Sequence, residues 1–327
     1  MMDSAYSPSQ IASYLDYIGL PQSFHPSANP VLDLAYLTAL FTHQITAIPY
    51  DNLSIHYSPQ HAITLEPQAL FTKIVTSRRG RGGYCMENSI LFNHVLRAVG
   101  FKDAYLVGVR VRPRVDGVPQ GDYMGWVHLL NIVTLGGGSD GNGDGTRYAL
   151  DAGFGGDGMT VPMPLVEGLV HHNSVGTQEI RFVRAFIPEQ RHRARESNKV
   201  WIYQVRNGPE KQWRDFFAFH DEFEFTEADF GNINFYTSQS PESFQTFTPL
   251  AIRFVTGEGV DGPAKIVGKV MLVKGEVKRN LGGRTELVKK CVTEVERVEA
   301  LREYFGICLT EDEAQSIKGR NVELRGQ

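Results

Sequence analysis

The sequence predicts an α+β protein in three successive parts: helices over residues 1–97, strands over 98–205 and a mixed α/β stretch over 206–327. Three observations carry this. Apolar residues recur at helical spacing up to Val99, the period shifts towards two from Phe101, and beyond Trp213 aromatic-rich, strand-like and helical segments alternate. A chain of 327 residues also has length for two or three domains.

Ser7-Pro8-Ser9-Gln10 supplies an N-cap, a proline at the first helical position and a capping-box glutamine, with Ile11, Leu15 and Ile18 at helical spacing and Gly19 as the stop. Leu34, Leu37, Leu40 and Phe41 mark a second helix that ends before Ile48-Pro49, and Pro67 to Ser77 a third. A fourth opens at Cys85, carries Ile90, Leu91, Val95 and Leu96, and stops at Gly100. Strands follow at Ala104–Val111, Trp126–Thr134 and Arg147–Leu150, then at Glu179–Phe186 and Lys199–Arg206. The glycine-rich run Gly136–Gly145 reads as a mobile hairpin loop, and the polar stretch Pro188–Asn198 as an interdomain segment. Strands near Leu250–Thr256, Ala264–Val273 and Thr285–Thr293 precede a helix over Thr293–Tyr304 and another opening at Thr310.

Thirty-three Lys and Arg against 37 Asp and Glu give a net charge of −4, with no basic footprint for nucleic acid. No apolar run approaches the ~20 residues that span a bilayer, and the start at Met1-Met2-Asp3 has no signal-peptide pattern. Three cysteines, Cys85, Cys291 and Cys308, do not make a disulfide framework, so a cytoplasmic protein with reduced thiols is expected. Cys291 and Cys308 read as inert core residues on a strand and a helix. The histidines show no metal-ligand spacing, and no metal is expected.

Chemistry concentrates in three segments. In Arg81-Gly82-Gly83-Tyr84-Cys85-Met86-Glu87-Asn88 a cysteine sits between a glycine turn and a helix start. A thiol attacks only as thiolate, and a helix N-terminus stabilises that anion. Taken alone, the segment also fits a buried cysteine beside a tight turn. His128 is a lone histidine on the apolar strand Trp126-Val127-His128-Leu129-Leu130, a placement shared by many core histidines. Asp151 ends the strand Tyr148-Ala149-Leu150 and begins the turn Gly153-Phe154-Gly155-Gly156, where aspartates also cap turns. Together they supply nucleophile, base and orienter. Arg81 is expected to position the turn, with Glu87 as a partner.

In this order and spacing the three motifs resemble the arylamine N-acetyltransferases, whose pattern is Arg-Gly-Gly-aromatic-Cys, a later strand histidine and Asp-x-Gly-Phe-Gly. Ile48-Pro49-Tyr50-Asp51-Asn52-Leu53 is similar to the family's Pro-aromatic-acid-Asn-Leu segment, and Ser240-Pro241-Glu242-Ser243-Phe244 to a Pro-x-Ser-x-Phe stretch. One departure is Asn88, three rather than four positions beyond the cysteine. The insert at Arg191–Lys199 and the extended C-terminus look like those of eukaryotic members, fungal ones in particular.

The resemblance implies a helical bundle, a β-barrel and an α/β lid, and a ping-pong reaction. Acetyl-CoA would acylate Cys85, and an arylamine or arylhydrazine would take the acyl group, with His128 and Asp151 completing the triad. It further implies CoA contacts at Gly153, Phe154, Gly155 and Gly156, and an acceptor pocket lined by Tyr123, Met124 and Trp126. Malonyl-CoA is the alternative donor, for which Arg110, Arg112 and Arg114 offer cations. Other readings of the same residues are a thiol hydrolase and a non-catalytic binding protein.

Overall fold

The computed structural model describes residues 4–115, 117–136, 145–173, 175–257 and 265–326. The glycine run expected as a hairpin loop lies, at 137–144, outside them, as do residues 1–3.

The N-terminal helices form where their caps predict. Ser7 and Gln10 make a reciprocal capping box on Pro8–Tyr17, Asp33 accepts from Tyr36 N at the head of Leu34–Ala47, and Gly100, at φ +117°, ends Cys85–Val99. Pro67–Phe71 runs on into a π-type turn, Thr72–Thr76. Their apolar faces (Leu15, Leu37, Phe41, Phe92) pack into the cluster that also takes Val107, Leu130 and Ile132 from the strands. The bundle is thereby fixed against the sheet rather than linked to it by a tether.

That sheet has eight antiparallel strands in the order Met163–Pro164, Thr146–Leu150, Trp126–Leu135, Ala104–Val111, Arg214–Glu224, Val200–Asn207, Gln178–Ala185 and His171–His172. Its first and last strands belong to one short stretch of chain. Leu165 N bonds to Arg147 O on one side while Gly168 N bonds to Phe182 O on the other, so the sheet curls into a nearly closed barrel. The barrel reaches Glu224, beyond residue 205. The polar stretch Pro188–Asn198 is not interdomain: it joins Gln178–Ala185 to Val200–Asn207, which pair directly. Arg193 is spent locally, donating to the carbonyls of Ile187, Pro188 and Gln190.

The chain then crosses, through the helix Glu227–Gln239, to a second antiparallel sheet ordered Tyr50–Asp51, Leu250–Gly257, Lys265–Val273, Glu276–Asn280 and Glu286–Lys290. The helices Glu294–Phe305 and Glu311–Gln315 follow it close to the expected bounds, with Thr293 and Thr310 as their N-caps rather than their first residues. Cys291 is buried. Cys308 corrects the expectation: Gly306, at φ +69°, has already ended the helix, and Cys308 is exposed on the connection, its amide bonded to Arg79 O at 2.9 Å. Lys269 fastens the second sheet to the barrel, donating to Gly156 O and, at 2.8 Å, to Asp157 Oδ1.

Candidate active site

Cys85 is the first residue of its helix, and the turn before it is strapped to Pro49–Asn52. Asp51 N donates to Gly83 O at 3.0 Å, and Gly82 N to Asp51 Oδ2 at 2.8 Å. A Cβ on Gly82 would lie 1.8 Å from Pro49 O, so no other residue permits this approach. Arg81, 2% exposed, donates to Asp51 Oδ1 and to Glu313 Oε1, each at 3.1 Å. Burial opposes the charge of Asp51, yet Arg81, Lys73 and the Gly82 amide hold its carboxyl below the usual range. Glu87 is not Arg81's hydrogen-bond partner. As the third residue of the helix it folds back to accept from Tyr84 N (3.1 Å), and it takes Lys73 Nζ at 2.7 Å.

His128 stands on the barrel strand opposite Val109, and Asp151 is the first residue beyond the ladder that pairs Leu150 with Asn131. The turn after Leu150 brings the carboxylate back to the ring, Nε2 to Oδ2 at 2.8 Å. Oδ1 accepts from Gly153 N at 3.0 Å, so both oxygens are fixed. Cys85 donates from Sγ to Val127 O at 3.8 Å and acts on the same imidazole, whose Nδ1 is the nitrogen that Asp151 leaves free to face it. Burial pulls the ring's affinity for a proton down, but the Asp151 charge and hydrogen bond, aided by Cys85, carry its pKa up to about 10. The arrangement is a protonated imidazole between two groups that favour the cation, ready to hold a thiolate.

A folded pKa of about 10 against an ordinary 6.5 has a stability consequence. The bound proton stabilises the fold fully below about pH 6.5, and that contribution is lost as the pH rises through about 10. The denaturation midpoint of wild type should exceed that of His128→Gln by a margin that narrows from pH 6.5 to pH 10. A margin independent of pH would show that the ring holds no extra proton.

Cys85 and His128 line a cavity of about 580 Å³, and Asp151 holds the ring from outside its lining. Cys85, His128, Val127, Met124, Gly153, Phe154 and the segment Val111–Arg114 form one wall; Tyr50, Thr237, Ser243–Gln245, Phe247, Leu250 and Ile252 form the other. The Pro-x-Ser-x-Phe stretch is thus part of the site, placed there by the helix Glu227–Gln239, whose Asn234 and Thr237 bond to Tyr84 Oη beside the nucleophile. Tyr50, Gln245 and Ile252 are site residues beyond those the three triad motifs point to. The Pro49–Leu53 segment was the sequence signal for Tyr50, while Gln245 and Ile252 arrive by long-range packing.

Two residues expected in the acceptor pocket lie elsewhere. Two-residue alternation puts Trp126 on the face of His128, but a bulge at Val127 breaks it, since Val109 pairs with His128 and Arg110 with Trp126. Trp126 packs instead on Phe225, rings 5.3 Å apart, and under Arg110. Tyr123 packs with Ile187, Ile202 and Ala218. Met124 does line the cavity. Among the four expected CoA contacts, Gly153 and Phe154 line it, whereas Gly155 and Gly156 do not. Gly155, at φ +82°, turns against Ile252, and the Gly156 carbonyl is taken by Lys269. A Cβ on Gly153 would lie 2.6 Å from Cys85 Cα, so this glycine serves the approach of the turn to the nucleophile. Among the described residues no cluster of His, Cys, Asp and Glu fits a metal ion, and no helix is long and apolar enough to cross a membrane.

A family model described as N-acetyltransferase matches residues 33–314, a span that includes all three of these side chains and both cavity walls. The chain belongs to the arylamine N-acetyltransferase family. Like its relatives it is an N-acyltransferase. It is 32% identical over 334 residues to N-malonyltransferase FDB2 of Gibberella moniliformis, covering 95% of this chain and 92% of that one. With human arylamine N-acetyltransferase 2 it shares 30% identity over 303 residues, 91% of this chain and 94% of the other. The arylamine N-acetyltransferase structure from Mycobacterium abscessus superposes with a TM-score of 0.74 at 21% identity, covering 97% and 98% of the two chains. That of Mycobacterium marinum in complex with CoA gives 0.71, also at 21% identity, covering 94% and 98%. The helical bundle, barrel and α/β part described above are the family's fold.

Proposed function

We propose that this N-acyltransferase works by a ping-pong mechanism in which Cys85 carries the acyl group from acyl-CoA to an aromatic amine or hydrazine. The observation that carries the reading is Cys85 beside His128 at one cavity wall, with Asp151 bonded to the ring and the imidazole held as a cation. In the first half, Cys85 thiolate attacks the thioester carbonyl, the bond to the CoA sulfur breaks, and CoA leaves with the proton of His128. In the second half, the amine nitrogen attacks the Cys85 thioester, and the Cys85–acyl bond breaks. His128 takes the proton from nitrogen, restoring the starting pair. Asp151 keeps the ring in the orientation both halves need.

Family membership and the CoA complex of the mycobacterial relative support the donor, and the aromatic side chains Tyr50, Phe154, Phe244 and Phe247 around the cavity support a flat acceptor. Acetyl is the acyl group the family's name suggests. Malonyl is the second reading, favoured by the N-malonyltransferase relative and by two arginines, Arg112 and Arg114, at the cavity. Three free cysteines suit a reducing compartment, and we place the reaction in the cytoplasm.

Intact mass after incubation with acetyl-CoA or malonyl-CoA tests this. Wild type should gain one acyl mass, shed by an arylamine such as 2-aminophenol, and Cys85→Ala should gain none. Failure of both donors while iodoacetamide still alkylates Cys85 would reject acyl transfer in favour of a thiol hydrolase.

A further inference from the structure

A chain of hydrogen bonds with fixed polarity ends at the cavity. Leu250 N donates to Asn52 Oδ1 at 2.8 Å, which fixes the orientation of that buried amide. Asn52 Nδ2 must then donate, and it does, to Thr248 O (2.8 Å) and to Gln245 Oε1 (2.9 Å). With its oxygen so engaged, Gln245 presents Nε2 to Tyr50 Oη at 2.6 Å. Tyr50 is therefore the acceptor in its bond to Gln245. Its own proton has no acceptor among the described residues, and the residue lines the cavity that holds Cys85. Burial first, then the neighbouring Cys85, push its ionisation well up, so it stays a neutral donor.

Arg114 lines the same cavity. It spends Nη1 on Asp157 Oδ2 at 2.9 Å and stacks over Phe154, 4.7 Å from the ring centre. The rest of its guanidinium has no acceptor among the described residues, and its charge reaches Tyr50. A hydroxyl donor and a guanidinium lining the cavity of a nucleophilic thiol match an acyl group that ends in an anion. In a malonyl thioester the carboxylate stands one methylene beyond the carbonyl bound to sulfur.

We propose that the Tyr50 hydroxyl, with Arg114, binds the free carboxylate of a malonyl group and makes this enzyme select malonyl over acetyl donors. This rests on the thioester reading above. The other receiver for such a hydroxyl, the oxygen of the reacting carbonyl, is common to both donors and would not discriminate between them.

The test is the rate of Cys85 acylation by malonyl-CoA and by acetyl-CoA, read by intact mass for wild type, Tyr50→Phe and Arg114→Gln. Alkylation by iodoacetamide reports that the site is formed in each. The malonyl-to-acetyl rate ratio should fall about tenfold in Tyr50→Phe, the worth of one hydrogen bond to a charged group, and fall also in Arg114→Gln. An unchanged ratio overturns the proposal, whether both rates hold or both fall equally; the latter would put the hydroxyl at the carbonyl. In either case the thioester reading stands. No adduct on wild type from either donor overturns the thioester reading and this proposal with it.

Discussion

Asp151→Asn should slow acyl transfer roughly ten-thousandfold, the scale seen when the orienting carboxylate of a nucleophilic triad becomes an amide. The reason lies in the two bonds of the carboxylate. Gly153 N donates to Oδ1, so in the variant the amide oxygen must stay there and the NH2 group takes the position of Oδ2, facing His128 Nε2. An NH2 group cannot accept the ring's proton. Nε2 then becomes the acceptor, the proton moves to Nδ1, and the ring can no longer receive a proton from the thiol. Steady-state arylamine acylation measures the loss, and the rate of Cys85 alkylation near neutral pH should fall with it. A loss below tenfold would mean that Asp151 caps its turn and does little else.

Arg81→Met should cost about 3–5 kcal/mol of stability, the range for breaking a buried ion pair from one side. Asp51 would keep a buried charge, its side chain fully enclosed, while losing the guanidinium that holds it ionised. Glu313 on the C-terminal helix would lose the same partner. Against a total stability of about 5–15 kcal/mol for a typical protein, the loss is large. Urea denaturation reads it directly. Because Asp51 also binds Gly82 N, the turn before Cys85 should loosen, and alkylation of the thiol should slow in the same variant. A cost under about 1 kcal/mol would place the pair with surface salt bridges.

What was legible in the sequence follows the range of the interactions. Caps are local: Ser7 placed its helix start at Pro8, and the two C-terminal helices start one residue after Thr293 and Thr310, the positions at which the sequence pattern opens them. The helix Glu227–Gln239 gives no clear helical signal in the sequence, because it mixes buried Phe230 and Ile233 with exposed Phe235 and Tyr236 and so lacks a clear apolar stripe. Its Thr226–Asp229 capping box was the available signal. The strand Glu276–Asn280 was too polar to show, and its turn depends on Lys274 at φ +57°. In the site, Cys85, His128 and Asp151 could be read because each sits beside a glycine turn or on a strand of clear period. The bulge that turns Trp126 away is a property of the pairing with Arg110, and no pattern within the strand announces it. The role of Gln245 depends on Asn52, far away along the chain, and only folding brings the two amides together.

The cavity has two owners along the chain. The wall that carries the reacting thiol comes mostly from residues before Phe154, and most of the facing wall, from Tyr236 to Ile252, comes from a later segment. The facing wall can therefore change at positions such as Phe244, Phe247 and Ile252 without replacing Cys85, His128 or Asp151, all of which lie earlier in the chain. Tyr50 is the exception. It belongs to the early part of the chain yet takes its orientation from Gln245 in the late one, so its hydrogen bond is where innovation in one half must negotiate with the other.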